Sequence, residues 1–364
     1  MAIVIFCSFI ALFLSVLDSK GVLKNGMKLG FVLVTILGII HYDYGNDYMS
    51  YLNTFNEVKR YSFNLNDHLN RAFIVEGGWS MLCWLFKYLG GFFVMVAVLN
   101  IIQNTIAYNF IRKNVNRSYW SLSMFIFLFN YNFYLLEFSM MRQELVAFIF
   151  LGMWKYIEER KWWIPLVVLL LCSYIHSSSL ILVPFAFWGF IPVNKSKFIG
   201  FIYVLLFCLL WLLSNFLNNI FSYALTLNDS FAGYEEYGKY DTKGFTLGLG
   251  FIINLIPFVL SILYLFTKKD GLKSKKQLIS IFAISFLMAP FSQIITLMDR
   301  ISIYFIFYGL GALPFIYENI RNKILKNVLI FLFIAITLSN YNGFFQSKVW
   351  ATKYATFNTI FSQI

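Results

Sequence analysis

The sequence predicts an all-α integral membrane protein that crosses the bilayer about twelve times, and three observations predict it. Hydrophobic residues make up 60% and charged residues 13% of the 364 residues, with a mean hydropathy of +0.70, whereas a soluble domain carries roughly 25% charge. Apolar runs recur along the whole chain, each near the ~20 residues a helix needs to cross a bilayer. They lack the alternation of barrel strands, which leaves helices as the spanning element. Finally, the basic residues gather in short segments between the runs.

Six such segments, DSKGVLKNGMK, RKNVNR, KYIEERK, VNKSK, KKDGLKSKK and ENIRNKILK, hold 19 of the 29 Lys and Arg. Placing all six in the cytoplasm satisfies the positive-inside rule. The net charge of +12 then reports topology and not nucleic-acid binding. The longer loops 42–72 and 222–245 fall outside.

Parity fixes the order of spans. Residues 1–17 read as the first span, because no basic segment precedes them and no small-x-small cleavage site follows. Trp79–Leu89 reads as a partial or interfacial helix and Gly91–Ile111 as a span. Two crossings lie between Arg117 and Lys155, turning near NYNFYLLEFSMMR, and Trp162–Phe190 is a helical hairpin. Spans at 198–222, 247–267, 277–297, 301–317 and 328–343 complete a single transmembrane domain, 1–364, with both ends outside. No internal or inverted repeat is visible, which counts against a secondary transporter.

The hairpin tip reads CSYIHSSSLIL. From Trp162 to Ile175 the first leg has 14 residues, rising about 21 Å in a hydrocarbon core about 30 Å thick. The tip therefore sits below the external surface, and His176 with Ser177–Ser179 lines a cavity, since irregular backbone at that depth needs protein or water around it. Arg142, in FSMMRQELVAF, begins a span after an external turn. Arg300, in TLMDRISIYF, sits at another, and a helix running on from it places Tyr304 and Tyr308 on one face. Guanidinium groups suit bidentate phosphate recognition, and ionisable groups within spans mark functional sites.

In the first external loop, Gly45-Asn46 supplies a turn and cap, with Asp47 in the first helical turn and Asp47, Tyr51 and Phe55 on one stripe. Such a stripe suits packing, and beside carboxylates it also suits sugar binding. Glu76 precedes the partial helix. Glu137 reads as a solvated loop carboxylate, and His41 and His68 as lone loop histidines. Cys7, Cys83, Cys172 and Cys208 lie in apolar segments without disulfide or zinc spacing. No carboxylate cluster has cation-ligand spacing, so neither metal nor other cofactor is expected. There is no Gly-rich phosphate loop and no cytoplasmic domain to hold one, which excludes direct use of a sugar nucleotide.

Four segments, in order, resemble the EpsG-like branch of the Wzy-type O-antigen and exopolysaccharide polymerases: HYDYGNDYMSYLNTF, VEGGWSMLCWLFKYLG, MRQELVAFIFLGMWKYIEERKWW…SYIHSSSLILVP and DRISIYFIFYGLGALP. The third is the most specific. His41 stands where the family usually has arginine, and Gly77 where it usually has proline. The resemblance implies a glycosyltransferase of the bacterial inner membrane, acting at its periplasmic face. Such enzymes transfer a growing glycan from undecaprenyl pyrophosphate to a lipid-linked repeat unit. Donor and acceptor are both undecaprenyl-pyrophosphate-linked glycans, set in membrane lipid, and chain length involves a separate regulator. On this reading Arg142 and Arg300 hold the pyrophosphate. His176 is the base or a third phosphate contact. Asp47, Glu76, Tyr51, Tyr304 and His41 are substrate-side residues. The rival readings are a membrane glycosyltransferase adding one sugar from a lipid-phosphate donor and, from another class, a lipid-linked oligosaccharide flippase.

Overall fold

The computed structural model describes residues 1–58, 76–192, 196–226, 248–267, 273–292 and 299–363. Most of the loop 222–245, and the later part of the loop 42–72 with His68, lie outside the described residues. The described residues are almost wholly helical, and their one sheet has two strands. The chain divides into two compact units, Met1–Gly189 with Tyr317–Ile364, and Phe190–Ile316.

In the first unit, α1 (Ala2–Ser19) and α2 (Gly26–Ile40) form an antiparallel pair. Val4, Ser8, Ala11 and Ser15 make a buried stripe on α1, and a Cβ on Gly30 of α2 would lie 2.8 Å from the Ala11 carbonyl oxygen. Small residues thus let two apolar helices approach where the hydrophobic effect offers no drive between them. The opposite face of α1, with Phe6, Phe9 and Phe13, is exposed. The strand β1 (His41–Tyr42) leads to α3 (Tyr48–Glu57), α4 (Gly77–Leu89) and the long α5 (Phe92–Asn114). The partial helix and the span that follows it are therefore both present, separated at Gly90 and Gly91, whose φ angles are +121° and +90°.

The segment between Arg117 and Lys155, read as two crossings, is broken into α6 (Trp120–Phe129), α7 (Tyr134–Glu137), α8 (Met141–Gly152) and α9 (Trp154–Glu158). Glu137 is not a solvated loop carboxylate. It is buried at 1% exposure, and Asn104 of α5 donates to its Oε2 at 3.2 Å. Amide side chains recur along α5 at Asn100, Gln103 and Asn104, all buried, so the polar residues of this span are turned inward.

The hairpin is formed by α10 (Trp163–Ile175) and a 3₁₀ helix, Ser177–Phe190. Its legs close where Trp162 stacks on Phe187 (5.3 Å between ring centroids) and Arg160 Nε donates to the Gly189 carbonyl (3.2 Å). The 13 residues of α10 rise about 20 Å, less than the roughly 30 Å of a hydrocarbon core.

Three basic loops meet at one end of this unit. Arg117 pairs with Asp18 at 2.8 Å, Ser121 N–H donates to Ser19 Oγ at 3.0 Å, Asn116 bonds Glu318, and Lys326 Nζ reaches the Tyr119 hydroxyl at 3.3 Å. At the other end β1 pairs antiparallel with β2 (Asn358–Thr359), His41 opposite Thr359. There Met1 N donates to the Ala355 carbonyl, Lys353 pairs with Asp43 at 3.0 Å, and the Tyr354 hydroxyl donates to the Leu135 carbonyl at 2.6 Å.

The second unit contains α11 (Ser196–Thr226), α12 (Leu249–Asn254), α13 (Ile256–Leu265), α14 (Lys273–Ile284), α15 (Ala289–Ser292) and α16 (Asp299–Ile306); α17 (Gly309–Glu318) and α18 (Lys323–Gln346) lead back to the first. Among the described residues four helices are long and apolar enough to cross a membrane, or five if α16 and α17, bent by 60°, count as one span. The expected count of about twelve is larger than these helices supply; Gly26–Ile40, Trp163–Ile175, Ser177–Phe190 and Ile256–Leu265 are apolar but shorter. Hydropathy counts apolar residues, whereas continuity of the helical hydrogen-bond ladder is broken at 130–133, at Leu255 and at Phe307–Tyr308. The last break also overturns one continuous face for Tyr304 and Tyr308, although both are fully buried.

Candidate active site

The site is built around one carboxylate. Glu76 caps α4 in a left-handed conformation, with φ +50°, a strained choice for a residue with a Cβ. Its carbonyl accepts from the Trp79 N–H at 2.9 Å, which turns the side chain away from the helix. Three groups from two other elements converge on it. Arg142 Nη1, from the first turn of α8, lies 2.8 Å from Oε2. His176 Nδ1, at the hairpin tip, lies 2.9 Å from Oε1. The Ser177 N–H and hydroxyl donate to the same Oε1 at 2.8 and 3.1 Å.

The close approach rests on Gly78. A Cβ there would stand 2.8 Å from the carbonyl carbon and oxygen of Tyr174, in the last turn of α10. Beneath, Tyr51 of α3 packs on Trp79 (5.3 Å between centroids), and the Arg142 guanidinium lies over the Tyr51 ring at 5.5 Å. These rings belong to a core of Tyr48, Phe55, Cys83, Phe86 and Phe92, which fixes the arginine from below.

The side chains remain partly open: Arg142 is 31%, His176 18% and Glu76 13% exposed. The Nε of Arg142 is buried without a hydrogen-bond partner, and the exposed part of the guanidinium is what a ligand can reach. Because an ionised carboxylate only accepts, Nδ1 of His176 is the donor, and Nε2 carries the lone pair when the ring is neutral. Burial alone would raise the Glu76 carboxyl, but the hydrogen bond and charge of His176, the Arg142 charge and the Ser177 N–H outweigh it and hold it below the usual carboxylate value. A carboxyl lowered on folding stabilises the fold above its unfolded value of about 4.5, and that contribution is lost as pH falls through the lower folded value. Melting temperatures in detergent should therefore show wild type losing its advantage over Glu76→Gln as pH drops below about 4.5. A gap independent of pH would show the charge to be unimportant.

The other candidates are placed as follows. Asp47 is the exposed residue capping α3, one position before the first turn, without a side-chain cap hydrogen bond. His41 is fully buried between Tyr48 and Phe138, with Nδ1 on the Gly38 carbonyl at 2.7 Å; burial pushes its pKa down to about 4, so it is neutral where the family's arginine would be charged. Arg300 opens α16 in the second unit, with Tyr304 buried one turn on. Glu144, unremarked in the sequence, is fully buried near Arg142 in α8 with neither oxygen hydrogen-bonded. No group of three or more metal-ligating His, Cys, Asp or Glu side chains occurs among the described residues.

Apolar helices with an arginine and an imidazole joined through one carboxylate at a hairpin tip define a helical membrane protein with a partly open polar site. The chain belongs to the EpsG family, whose model matches residues 27–356. The family is associated with glycosyltransferase-like polymerases of polysaccharide biosynthesis. No curated protein and no solved structure matches the chain.

Proposed function

We propose that this protein polymerises undecaprenyl-pyrophosphate-linked oligosaccharide repeat units into O-antigen or a related surface polysaccharide, at the periplasmic face of the inner membrane. The observation that carries the reading is the convergence of Arg142, His176 and Ser177 on Glu76, across 100 residues of sequence in the case of His176.

In the reaction the acceptor hydroxyl attacks the anomeric carbon of the donor glycan. The bond from that carbon to the pyrophosphate oxygen breaks, and the electron pair leaves with the lipid pyrophosphate. Arg142, held by Glu76 and Tyr51, offers the exposed part of its guanidinium to the charge growing on the leaving group, where preorganised cations count most. Arg300 is assigned to the same pyrophosphate. His176, its Nδ1 fixed by Glu76, takes the hydroxyl proton on Nε2. Glu76 thus moves from a substrate-side role to that of a positioning residue shared by cation and base. Asp47, Tyr51 and Tyr304 stay on the substrate side, and His41 becomes a packing residue.

Deleting the gene and separating the surface polysaccharide on a gel tests the function. Single repeat units without a ladder are expected, and His176→Ala should fail to restore the ladder. A missing or truncated repeat unit would instead establish the single-sugar transferase, the rival with the same fold and cationic site.

A further inference from the structure

At the end of the first unit away from Glu76, a cavity of about 180 Å³ is lined by Asp18, Lys24, Asn25, Tyr108, Arg112, Arg117 and Trp120. Its single lining carboxylate is already engaged: Asp18 Oδ1 takes Arg117 Nη2 and Nε at 2.8 and 3.2 Å, and Oδ2 accepts the Met27 N–H at 3.0 Å. Lys24 and Arg112 make no ion pair or hydrogen bond among the described residues, so the cavity holds two uncompensated cations. The Asp18 pair also fixes Arg117, whose guanidinium lies 6.0 Å from the Trp120 ring centre.

From this we infer a phosphate-binding site, formed by Lys24, Arg112 and the fixed Arg117, that holds the phosphate ester of a membrane lipid head group. The flanking surfaces argue for a lipid source. The cavity sits where α1, α2 and α5 reach their basic ends, and exposed apolar side chains run from it along all three: Phe13 and Phe9, Leu29 and Val32, and Ile102 and Ile101. Acyl chains laid on these faces would bring a phosphate to the cavity mouth, where the half-buried Tyr108 and Trp120 occupy the level that amphipathic rings favour. Basic pockets between spanning helices bind anionic head groups in this way.

Lipid binding to the full-length protein in neutral detergent, followed by native mass spectrometry, tests the site with phosphatidylglycerol and phosphatidylcholine as probes and inorganic phosphate as the soluble arm. Wild type should prefer phosphatidylglycerol. Lys24→Gln with Arg112→Gln, both exposed side chains, should weaken phosphatidylglycerol about fivefold per cation, or roughly 30-fold together. If inorganic phosphate binds with the same dependence on these two residues and displaces the lipid, the site stands with free phosphate as its ligand. Equal binding of both lipids overturns the proposal. So does an equal loss from Lys28→Gln with Lys113→Gln, whose cations do not line the cavity, because diffuse surface charge would then explain the preference.

Discussion

Arg142→Ala is expected to abolish long polysaccharide chains while the protein accumulates normally in the membrane, and Arg142→Lys to restore only a small part of the ladder. The guanidinium does three things at once. It meets Glu76 at 2.8 Å, lies over Tyr51 at 5.5 Å and keeps its Nε unpartnered. Lysine supplies the charge but neither the planar fork nor the second donor edge. Removing one preorganised donor from developing charge costs about 10²–10³ in rate, enough to erase a ladder that needs many successive transfers. Alanine also leaves Glu76 with one partner fewer, so a fall in melting temperature is expected beside the loss of product. Arg300→Ala should give the same loss of long chains. Near-wild-type ladders from both variants would refute the assignment to pyrophosphate, and a wild-type ladder from Arg300→Ala alone would confine the site to the first unit.

Gly78→Ala should have the second largest effect, although glycine at this position carries no chemistry. The added Cβ meets main-chain atoms of Tyr174 at 2.8 Å, and backbone cannot yield as a flexible side chain would. The hairpin tip and the start of α4 must therefore separate, stretching the contacts of 2.8 and 2.9 Å that join Glu76 to Ser177 and His176. Overpacking of this kind costs about 1–3 kcal/mol of stability. A misplacement of about 1 Å costs on the order of 10²-fold in rate. Gly343→Ala is the matched control, since nothing lies within 4 Å of its Cβ position; helix propensity makes it neutral or stabilising by up to about 1 kcal/mol. Equal activity and melting temperature in the two variants would show that the close packing at Gly78 does not hold the site together.

Much of this was legible in the sequence. The membrane class followed from composition, and the hairpin at 162–190 from the parity of basic loops. Arg142 and His176 stood out because ionisable groups are costly in apolar runs. Glu76 was visible as a carboxylate before a short helix, but its place between the two was not, since its partners lie 66 and 100 residues away along the chain. Glu137 was misread because a carboxylate beside aromatics in a turn looks solvated. Only the approach of Asn104 of α5 to the end of α7, at 3.2 Å, and the 1% exposure of Glu137 show it buried. The strand pair β1–β2 was hidden for a similar reason: strands of two residues, at His41–Tyr42 and Asn358–Thr359, carry no periodic signal.

Local chemistry thus determined what the chain must live in and which side chains are too expensive to be idle, because transfer into lipid is a property of each segment alone. Tertiary structure decided which of those side chains share a carboxylate, which helices break, and that His41 is buried without charge. Those outcomes depend on contacts between distant segments, where one missing Cβ at Gly78 sets the distance and no single stretch of sequence records it.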